Sequence, residues 1–316
     1  MKPYCFGVDL GGTTVKLGLL KTDGVLLEKW EIPTRTENKG AAIIPDIGGQ
    51  IILKMQERSL TADDIQGIGI GVPGPVLNES IVNRCVNLGW DVVNVADELE
   101  SLTHLPVTAA NDADVAALGE QWIGGGKDYE NIVMITLGTG VGGGIIMDGR
   151  IVAGRNGSAG EIGHMNVVDP EDTDGPCRCG RVGCLETAGS ATGLVRLAGK
   201  KLRETTIPSV LRQMAAPSAK DILDAAKAGD ELAVMIADKM MTSLAKAAAE
   251  IAVVFDPEVF VIGGGVSRAG DFLTEGISER YRQIAFYAVK NTPFVLARLG
   301  NDAGIIGAAA MICKKG

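Results

Sequence analysis

The residues between positions 160 and 186 carry side chains suited to binding a metal ion. One histidine and three cysteines with C-x-C-x4-C spacing occur there: His164, Cys177, Cys179 and Cys184. Three thiolates and one imidazole are the ligands of a closed tetrahedral zinc site, which leaves no coordination position for water. The pattern therefore predicts a structural zinc site. The alternative is three reduced cysteines and a surface histidine that bind nothing.

The segment between His164 and Cys177 is acidic, contains prolines and shows no apolar periodicity. Such a segment cannot fold by burying its own side chains, so metal binding would supply its folding free energy. Glu161 and Glu186 flank the ligands, and folding around the metal would bring these two carboxylates together. We therefore expect the metal to shape a polar binding pocket.

Two glycine-rich turns are candidates for phosphate binding. Residues 8–20 and 133–147 both read as strand, glycine–threonine turn, strand. The first turn does not fit a Walker A loop, which needs G-x4-G-K-[ST] at the start of a helix. The backbone N–H groups of a glycine turn can still bind phosphate, and Asp9 and Lys16 add a Mg²⁺ ligand and a positive charge. Taken alone, the first motif is also compatible with an ordinary tight turn.

Two stretches match G-x-G-x-x-G, the dinucleotide-binding pattern: Gly69-Gly71-Gly74 and Gly138-Gly140-Gly143. That pattern requires a helix directly after the glycines. Pro73 and Pro75 lie in the first turn, and the second continues as a hairpin, so we expect neither to bind a dinucleotide. A third glycine run, Gly263–Gly265, follows a predicted strand at 259–262 and would let a flat ring approach the backbone.

Asn111 and Asp112 lie between a predicted strand, residues 106–110, and a predicted helix that runs from about residue 113 to 122. Open α/β sheets bind their ligands at the carboxyl ends of strands. These two side chains are therefore candidates for a binding or catalytic role. The alternative is that either one caps the helix, which is the commonest use of Asn and Asp at that position.

The composition of the 316 residues is that of an ordinary globular protein, with 46% hydrophobic and 22% charged residues. A net charge of −9 argues against a nucleic-acid partner, since phosphate contacts need a basic face. No apolar run is long enough to cross a bilayer, and no signal peptide is recognisable. Six cysteines, three of them assigned to the metal, suit a reducing compartment. We therefore expect a cytoplasmic protein without membrane or nucleic-acid partners.

Taken together, the motifs resemble the ROK family of bacterial sugar kinases, and within it the ATP-dependent glucokinases. The resemblance spans the chain through these motifs: D-L-G-G-T-T-V-K, G-V-P-G-P, N-L-G-W, N-D-A-D-V-A-A-L-G-E, L-G-T-G-V-G-G-G-I-I, A-G-E-I-G-H, C-x-C-G-x-x-G-C-L-E, I-G-G-G-V-S and L-G-N-D-A-G-I-I-G-A. Each glycine motif alone is weak evidence, whereas their order together with the zinc ligands is specific.

The resemblance implies an α/β protein with the two-domain actin-like ATPase fold of sugar kinases, heat-shock ATPases and actin, with a cleft between the domains. A small N-terminal α/β domain is expected at residues 1–113, rejoined by a C-terminal helix at residues 301–316. Residues 114–300 would form a large α/β domain with the zinc and nucleotide sites. The family also implies a homodimer or homotetramer.

The resemblance further implies glucose and ATP as substrates, with Asp112 as the general base that accepts the proton of the 6-hydroxyl. The residues that match sugar-binding positions are Gly74, Asn111, Asp112, Glu161, His164 and Glu186. Those that match the phosphate and nucleotide turns are Asp9, Gly11, Gly12, Thr13, Lys16, Thr139, Gly140, Gly264 and Gly265. Mg²⁺ is expected with ATP. His164 would bind zinc through one ring nitrogen and face the sugar with the other.

Alternative functions remain open at this point. The hydroxyl-binding residues are shared with kinases for fructose, mannose, allose and N-acyl hexosamines, so they discriminate weakly among hexoses. The family also includes sugar-responsive repressors, which carry a helix-turn-helix domain ahead of the kinase-like part. Here the first turn begins at residue 9, so we expect no such domain. A sugar-binding protein without turnover conflicts with the presence of Asp9, Lys16 and Asp112.

Overall fold

The chain contains both strands and helices, and the computed structural model describes residues 2–314. The strands are β1 (Tyr4–Leu10), β2 (Thr14–Lys21), β3 (Leu26–Pro33), β4 (Ile65–Val72), β5 (Val76–Leu77), β6 (Ile81–Cys85), β7 (Trp90–Asn94), β8 (Val107–Asn111), β9 (Ile132–Leu137), β10 (Val141–Met147), β11 (Arg150–Ile151), β12 (Val259–Gly263) and β13 (Phe294–Leu296). The helices are α1 (Glu37–Gly40), α2 (Ile43–Glu57), α3 (Val95–Thr103), α4 (Asp112–Ile123), α5 (Glu186–Gly189), α6 (Ala191–Glu204), α7 (Ala219–Lys227), α8 (Glu231–Phe255), α9 (Asp271–Ile284) and α10 (Ala303–Cys313). Residue 1 and residues 315–316, which the expected domains include, lie outside the described residues.

Two five-stranded sheets share one strand order. The first has the order β3-β2-β1-β4-β8 and the second β11-β10-β9-β12-β13. In the first sheet, β1 pairs antiparallel with β2 and parallel with β4, which pairs parallel with β8. In the second, β12 pairs parallel with both β9 and β13. The repeated order confirms that the strand–turn–strand motif occurs twice in the chain. The α/β arrangement is the one expected of the actin-like ATPase fold.

The segment after the first G-x-G-x-x-G stretch forms a third sheet, with the order β5-β6-β7. From the sequence, Pro73 and Pro75 predict only a rigid loop there. Strand β5 follows Gly74 within two residues, and strand β10 follows Gly140 directly. A strand and not a helix therefore comes next in both places, so neither stretch has the helix that the dinucleotide-binding pattern requires.

The chain divides into two compact units. The first unit runs to Glu130, includes Gly144–Gly160 and takes in the chain from Leu299 onward. The second unit consists of Asn131–Gly143 and Glu161–Arg298. The first G-rich turn and the end of β8 therefore belong to the first unit, while the second turn and the predicted metal ligands belong to the second.

In the first unit, the last helix, α10, lies so close to β1 and α4 that their backbones are in contact. A Cβ atom added at Gly7 of β1 would overlap the carbonyl oxygen of Ile305, and one at Gly307 would overlap that of Val115 in α4. Close packing on α10 therefore keeps α4 in the first unit. The expected domain boundary at residue 113 would assign α4 to the other domain, and that division of the chain into domains stays a prediction.

In the second unit, residues 230–254 are rich in alanine and methionine and apolar on most faces, which predicts a buried helix, and the 25-residue helix α8 confirms it. Its apolar residues fall on most faces, and Ile236, Met240 and Leu244 are fully buried. Among residues 2–314, no helix combines the length and apolar character needed to cross a membrane.

Candidate functional site

The four predicted metal ligands come together in the second unit. Nδ1 of His164 lies 3.8 Å from Sγ of Cys177, and Sγ of Cys179 lies 3.6 Å from Sγ of Cys184. All four ligand atoms lie within 4.8 Å of one another. Zinc–sulfur bonds of about 2.3 Å at tetrahedral angles place two sulfur atoms roughly 3.8 Å apart. The residues therefore fit a tetrahedral zinc ion.

The cysteines of this group differ in their surroundings. Cys184 is fully buried, and burial raises the pKa of its thiol to about 12. Cys179 is exposed, and the backbone N–H of Arg181 lowers the pKa of its thiol. Because zinc binds thiolates, loading the site releases thiol protons, and rising pH favours metal binding.

His164 presents its two ring nitrogens to different groups. It ends a short 3-10 turn, Ile162–His164, and places Nδ1 on the side of Cys177. Its Nε2 lies 3.9 Å from Oε2 of Glu161, and the two side chains are 39% and 57% exposed. A metal-binding histidine commonly turns its second nitrogen toward a polar partner. The structure thus brings together two predicted sugar-binding residues in a position that a ligand can reach.

Glu186 lies between a metal ligand and the second glycine turn. It begins α5, two residues after Cys184, and its Oε1 is 3.8 Å from Sγ of Cys177. Its Oε2 accepts a hydrogen bond of 3.1 Å from the backbone N–H of Val141. The sequence predicted this carboxylate beside the sugar and gave no sign of its contact with the turn, because the partners are 45 residues apart.

The second glycine turn and the third glycine run are neighbours. The turn joins β9 to β10 and is closed by a 3.0 Å hydrogen bond from the N–H of Gly138 to the carbonyl of Gly140. Gly264 has a φ of +83°, and a Cβ atom there would overlap the backbone of Leu137 at the end of β9. Only glycine can adopt this positive φ without strain and also leave room for the backbone of Leu137. The predicted phosphate-binding and nucleotide-binding glycines therefore lie next to each other in the second unit.

A cavity of about 560 Å³ opens beside this turn. It is lined by Thr139, Arg178, Ala191, Thr192, Val195, Arg196, Ser218 and Ala219. The first residues of α6 and α7 thus face the cavity together with two arginines, a combination that favours an anionic ligand. Neither arginine was predicted from the sequence, and no function was predicted for the region around Ser218. The available signal was the pair Ser218 and Asp221, whose spacing predicts a capping box and hence the start of a helix.

The first glycine turn carries an ion pair at its base. Asp9 and Lys16 are register partners in β1 and β2, and Lys16 Nζ lies 3.3 Å from Asp9 Oδ2. The two side chains are 20% and 28% exposed. The hairpin confirms the predicted strand–turn–strand structure. It places a carboxylate and an ammonium group at one end of the turn that contains Gly11, Gly12 and Thr13.

Asn111 caps α4 and is anchored to Gly74. Its Oδ1 accepts hydrogen bonds from the backbone N–H groups of Ala113, at 2.9 Å, and Asp114, at 3.4 Å. Its Nδ2 donates to the carbonyl of Gly74 at 3.1 Å. The capping alternative therefore holds for Asn111. The same contacts bring it to Gly74, a second predicted sugar-binding residue, and its sugar contact stays a prediction.

Asp112 is the first residue of α4, directly after the last residue of the parallel strand β8. Its Oδ1 accepts the N–H of Ala113 at 2.9 Å. Asn111 supplies the cap of α4, and Asp112 follows it at the carboxyl end of a parallel strand, where open α/β sheets bind their ligands.

Comparison with known proteins shows similarity along the whole chain. Residues 5–315 match the sequence model of the ROK family. The glucokinase of Halalkalibacterium halodurans is 42% identical over 311 residues, which are 97% of this chain and 94% of that protein. The glucokinase of Thermotoga maritima is 39% identical over 98% of this chain and 97% of its own length. A solved ROK family glucokinase from Streptomyces griseus, in complex with glucose and AMPPNP, matches with a TM-score of 0.73 and 32% identity over 98% of each chain.

Proposed function

Because this chain belongs to the ROK family, we propose that it transfers the γ-phosphoryl group of ATP to the 6-hydroxyl of glucose. Support comes from relatives named glucokinase, which it matches over nearly their whole length. The observation that carries the proposal is the position of Asp112, a carboxylate at the end of a parallel strand and at the start of a helix that another residue caps.

Asp112 acts as the general base in this proposal. A sugar hydroxyl is too weak an acid to ionise at neutral pH, so its proton must leave as the bond to phosphorus forms. In the loose transition state of phosphoryl transfer that proton can leave late, and a carboxylate suffices as the acceptor. Most of the rate enhancement then comes from positioning and from neutralising the phosphate charge.

The sugar hydroxyls are bound by carboxylate, amide, imidazole and backbone groups. The proposed residues are Gly74, Asn111, Asp112, Glu161, His164 and Glu186. Three carboxylates that accept hydrogen bonds suit a polyol, whose hydroxyls must donate when they leave water. The contact between Asn111 and Gly74 and the approach of His164 to Glu161 support this assignment.

The nucleotide is held by the glycine turns. The residues proposed for phosphate and nucleotide contacts are Asp9, Gly11, Gly12, Thr13, Lys16, Thr139, Gly140, Gly264 and Gly265. The cavity beside Thr139, with its two arginines, supports this placement. Asp9 supplies a hard oxygen ligand of the kind Mg²⁺ prefers, and the ion that accompanies ATP would reduce the negative charge on the phosphates.

We further infer that His164, Cys177, Cys179 and Cys184 hold a structural zinc ion. Their spacing and their tetrahedral distances support this assignment. The ion would hold the segment between His164 and Cys177 in one conformation, and with it the flanking carboxylates of Glu161 and Glu186.

The location and assembly of the protein are part of the same proposal. None of the six cysteines, all of which lie among the described residues, forms a disulfide, which fits a reducing cytoplasm. Exposed apolar side chains in the last turn of α8 and after α9 support a homodimer or homotetramer, since Val254 is 73% and Tyr287 76% exposed. Light scattering of the purified protein would measure the mass directly, and a monomer at all concentrations would contradict the assembly.

A coupled assay of ADP release over a panel of hexoses tests the proposed activity. We expect glucose to give the highest kcat/KM, with fructose, mannose, allose and N-acetylglucosamine clearly lower, because the relatives at 42% and 39% identity are both glucokinases. Nuclear magnetic resonance of the product should place the phosphate on O6. A higher kcat/KM with another hexose would change the substrate but keep the enzyme class. No ADP release with any hexose would contradict the kinase function.

A further inference from the structure

The carbonyl groups of the second glycine turn are held by the start of α6. The backbone N–H of Ala191 donates to the carbonyl of Gly138 at 2.8 Å. The hydroxyl of Thr192 donates to the carbonyl of Thr139 at 2.6 Å. The carbonyl groups of two consecutive peptide units in the turn are therefore each fixed by a hydrogen bond from α6.

A planar trans peptide unit links the direction of its carbonyl to that of the next N–H, which points the opposite way. Holding the carbonyl of Gly138 thus fixes the N–H of Thr139. Holding the carbonyl of Thr139 fixes the N–H of Gly140. These are the two residues of the turn assigned to phosphate contacts, and each N–H is directed away from the donor in α6 that holds the carbonyl of the same peptide unit.

Glu186 completes the arrangement on the third peptide unit. Its carboxylate accepts the N–H of Val141 at 3.1 Å, while the carbonyl of Gly140 in the same unit accepts the N–H of Gly138. A Cβ atom at Gly140 would overlap the Glu186 carboxylate, so the turn and this side chain are in close contact. Three successive peptide units are therefore oriented by the segment from Glu186 to Thr192.

In the first glycine turn, too, carbonyl groups are held by hydrogen bonds from a residue outside the turn. The hydroxyl of Thr34, which follows β3, donates to the carbonyl of Gly11 at 2.7 Å. The backbone N–H of Thr34 donates to the carbonyl of Thr13 at 3.0 Å. By the same geometry, the contact with Gly11 fixes the N–H of Gly12, one of the residues assigned to phosphate. In both turns a threonine outside the turn holds a carbonyl inside it.

We propose that Thr192 is a positioning residue for phosphoryl transfer, which orients the N–H of Gly140 toward the nucleotide phosphates, and that Thr34 does the same for the N–H of Gly12. The proposal rests on the assigned nucleotide site. Donors that are already oriented before the substrate binds cost no reorganisation when charge develops on the phosphates. Neither threonine needs to touch the nucleotide for this effect.

The replacement Thr192→Val tests the proposal, because valine keeps the shape of threonine and removes its hydroxyl. We expect the Kd of AMPPNP, measured by calorimetry, to rise about 3- to 10-fold, the usual worth of one hydrogen bond. The Kd of adenosine, which has no phosphates, should stay within about twofold. Thr192→Ser, which keeps the hydroxyl, should restore AMPPNP binding. Thr34→Val should likewise raise the Kd of AMPPNP and leave the Kd of adenosine within about twofold.

Hydrogen–deuterium exchange without nucleotide separates orientation from direct contact. Thr192→Val should speed amide exchange in the turn of residues 138–141, which the loss of a direct contact with the ligand would not do. Thr205→Val is the matched control, since Thr205 ends the same helix and its hydroxyl donates to the carbonyl of Lys201 at 3.0 Å. This control should change neither nucleotide affinity nor exchange in the turn.

Each remaining outcome counts against a defined part of the proposal. If wild-type protein binds AMPPNP and Thr192→Val binds it equally well, the positioning role is wrong while the kinase function stands. An equal loss of AMPPNP and adenosine affinity would show general damage to the site and would also overturn the positioning role. Wild-type protein that binds no AMPPNP at all would overturn the nucleotide assignment itself.

Discussion

Replacing Asp112 with asparagine is expected to lower kcat by about 10²- to 10⁴-fold, the usual contribution of a general base. The amide cannot accept the proton that the 6-hydroxyl loses as the bond to phosphorus forms. It can still donate and accept hydrogen bonds, so the Kd of glucose should change only a few-fold. Steady-state kinetics together with calorimetric titration of glucose would measure both quantities on one preparation.

The structure indicates that this replacement leaves α4 intact. The cap is the side chain of Asn111, and the contact from Ala113 N–H to Asp112 Oδ1 can be kept by an amide oxygen. Asp271→Asn is the matched control, because Asp271 is also the first residue of a helix, α9, and lies outside the candidate site. The control should keep full activity. A kcat for Asp112→Asn within a few-fold of wild type would remove Asp112 from the role of base.

The elements with strong local signals were predictable from the sequence. Glycine–threonine runs between apolar stretches predicted both hairpins, and the structure confirms them. Ser218 and Asp221 predicted a capping box, which is present at the start of α7. In these cases the residues that specify the structure are close in sequence, so no knowledge of tertiary packing was needed.

Helix α2 shows where local signals were overridden. Residues 40–58 have a helical pattern that Pro45 and the Gly48–Gly49 pair are expected to interrupt, yet α2 runs continuously through Ile43–Glu57. Pro45 is its third residue, in the first turn, where a missing N–H loses no helical partner. A Cβ atom at Gly48 would lie only 3.2 Å from the side chain of Leu102 in α3. The close approach of α3 therefore makes a glycine useful at a position where propensity disfavours it.

The candidate site also contains some features that local sequence predicted and others that depend on tertiary packing. The metal ligands and the position of Asn111 and Asp112 followed from residue spacing, and the structure brings the ligands together as expected. The hydrogen bond between Glu186 and Val141 could not be predicted, because only the folded chain brings α5 to the second turn. The same holds for the arginines of the adjacent cavity, whose proximity depends on how α6 and the metal-binding segment pack.

Replacing Cys179 with serine is expected to abolish zinc binding and to raise the KM for glucose by at least about 10-fold, since even outer partners of a metal site change activity by 10- to 100-fold. Cys179 is the exposed ligand, so serine disturbs the core less there than at the buried Cys184. Without the ion, His164 and Glu186 lose their fixed positions. The KM for ATP should rise less, because Glu186 supplies one of three contacts that hold the second turn. Elemental analysis and steady-state kinetics would measure these effects.

Val182→Ser is the matched control for the loss of the metal ligand. Val182 lies between Cys179 and Cys184 in the same segment and is 51% exposed, so this replacement removes exposed apolar surface but no ligand. Zinc content and both KM values should stay at the wild-type level. If Cys179→Ser lost its zinc and still bound glucose with an unchanged KM, the metal would stabilise the segment without shaping the sugar pocket. In that case the positions of Glu161 and Glu186 would depend on protein contacts alone, among which the bond from Val141 to Glu186 is the strongest candidate.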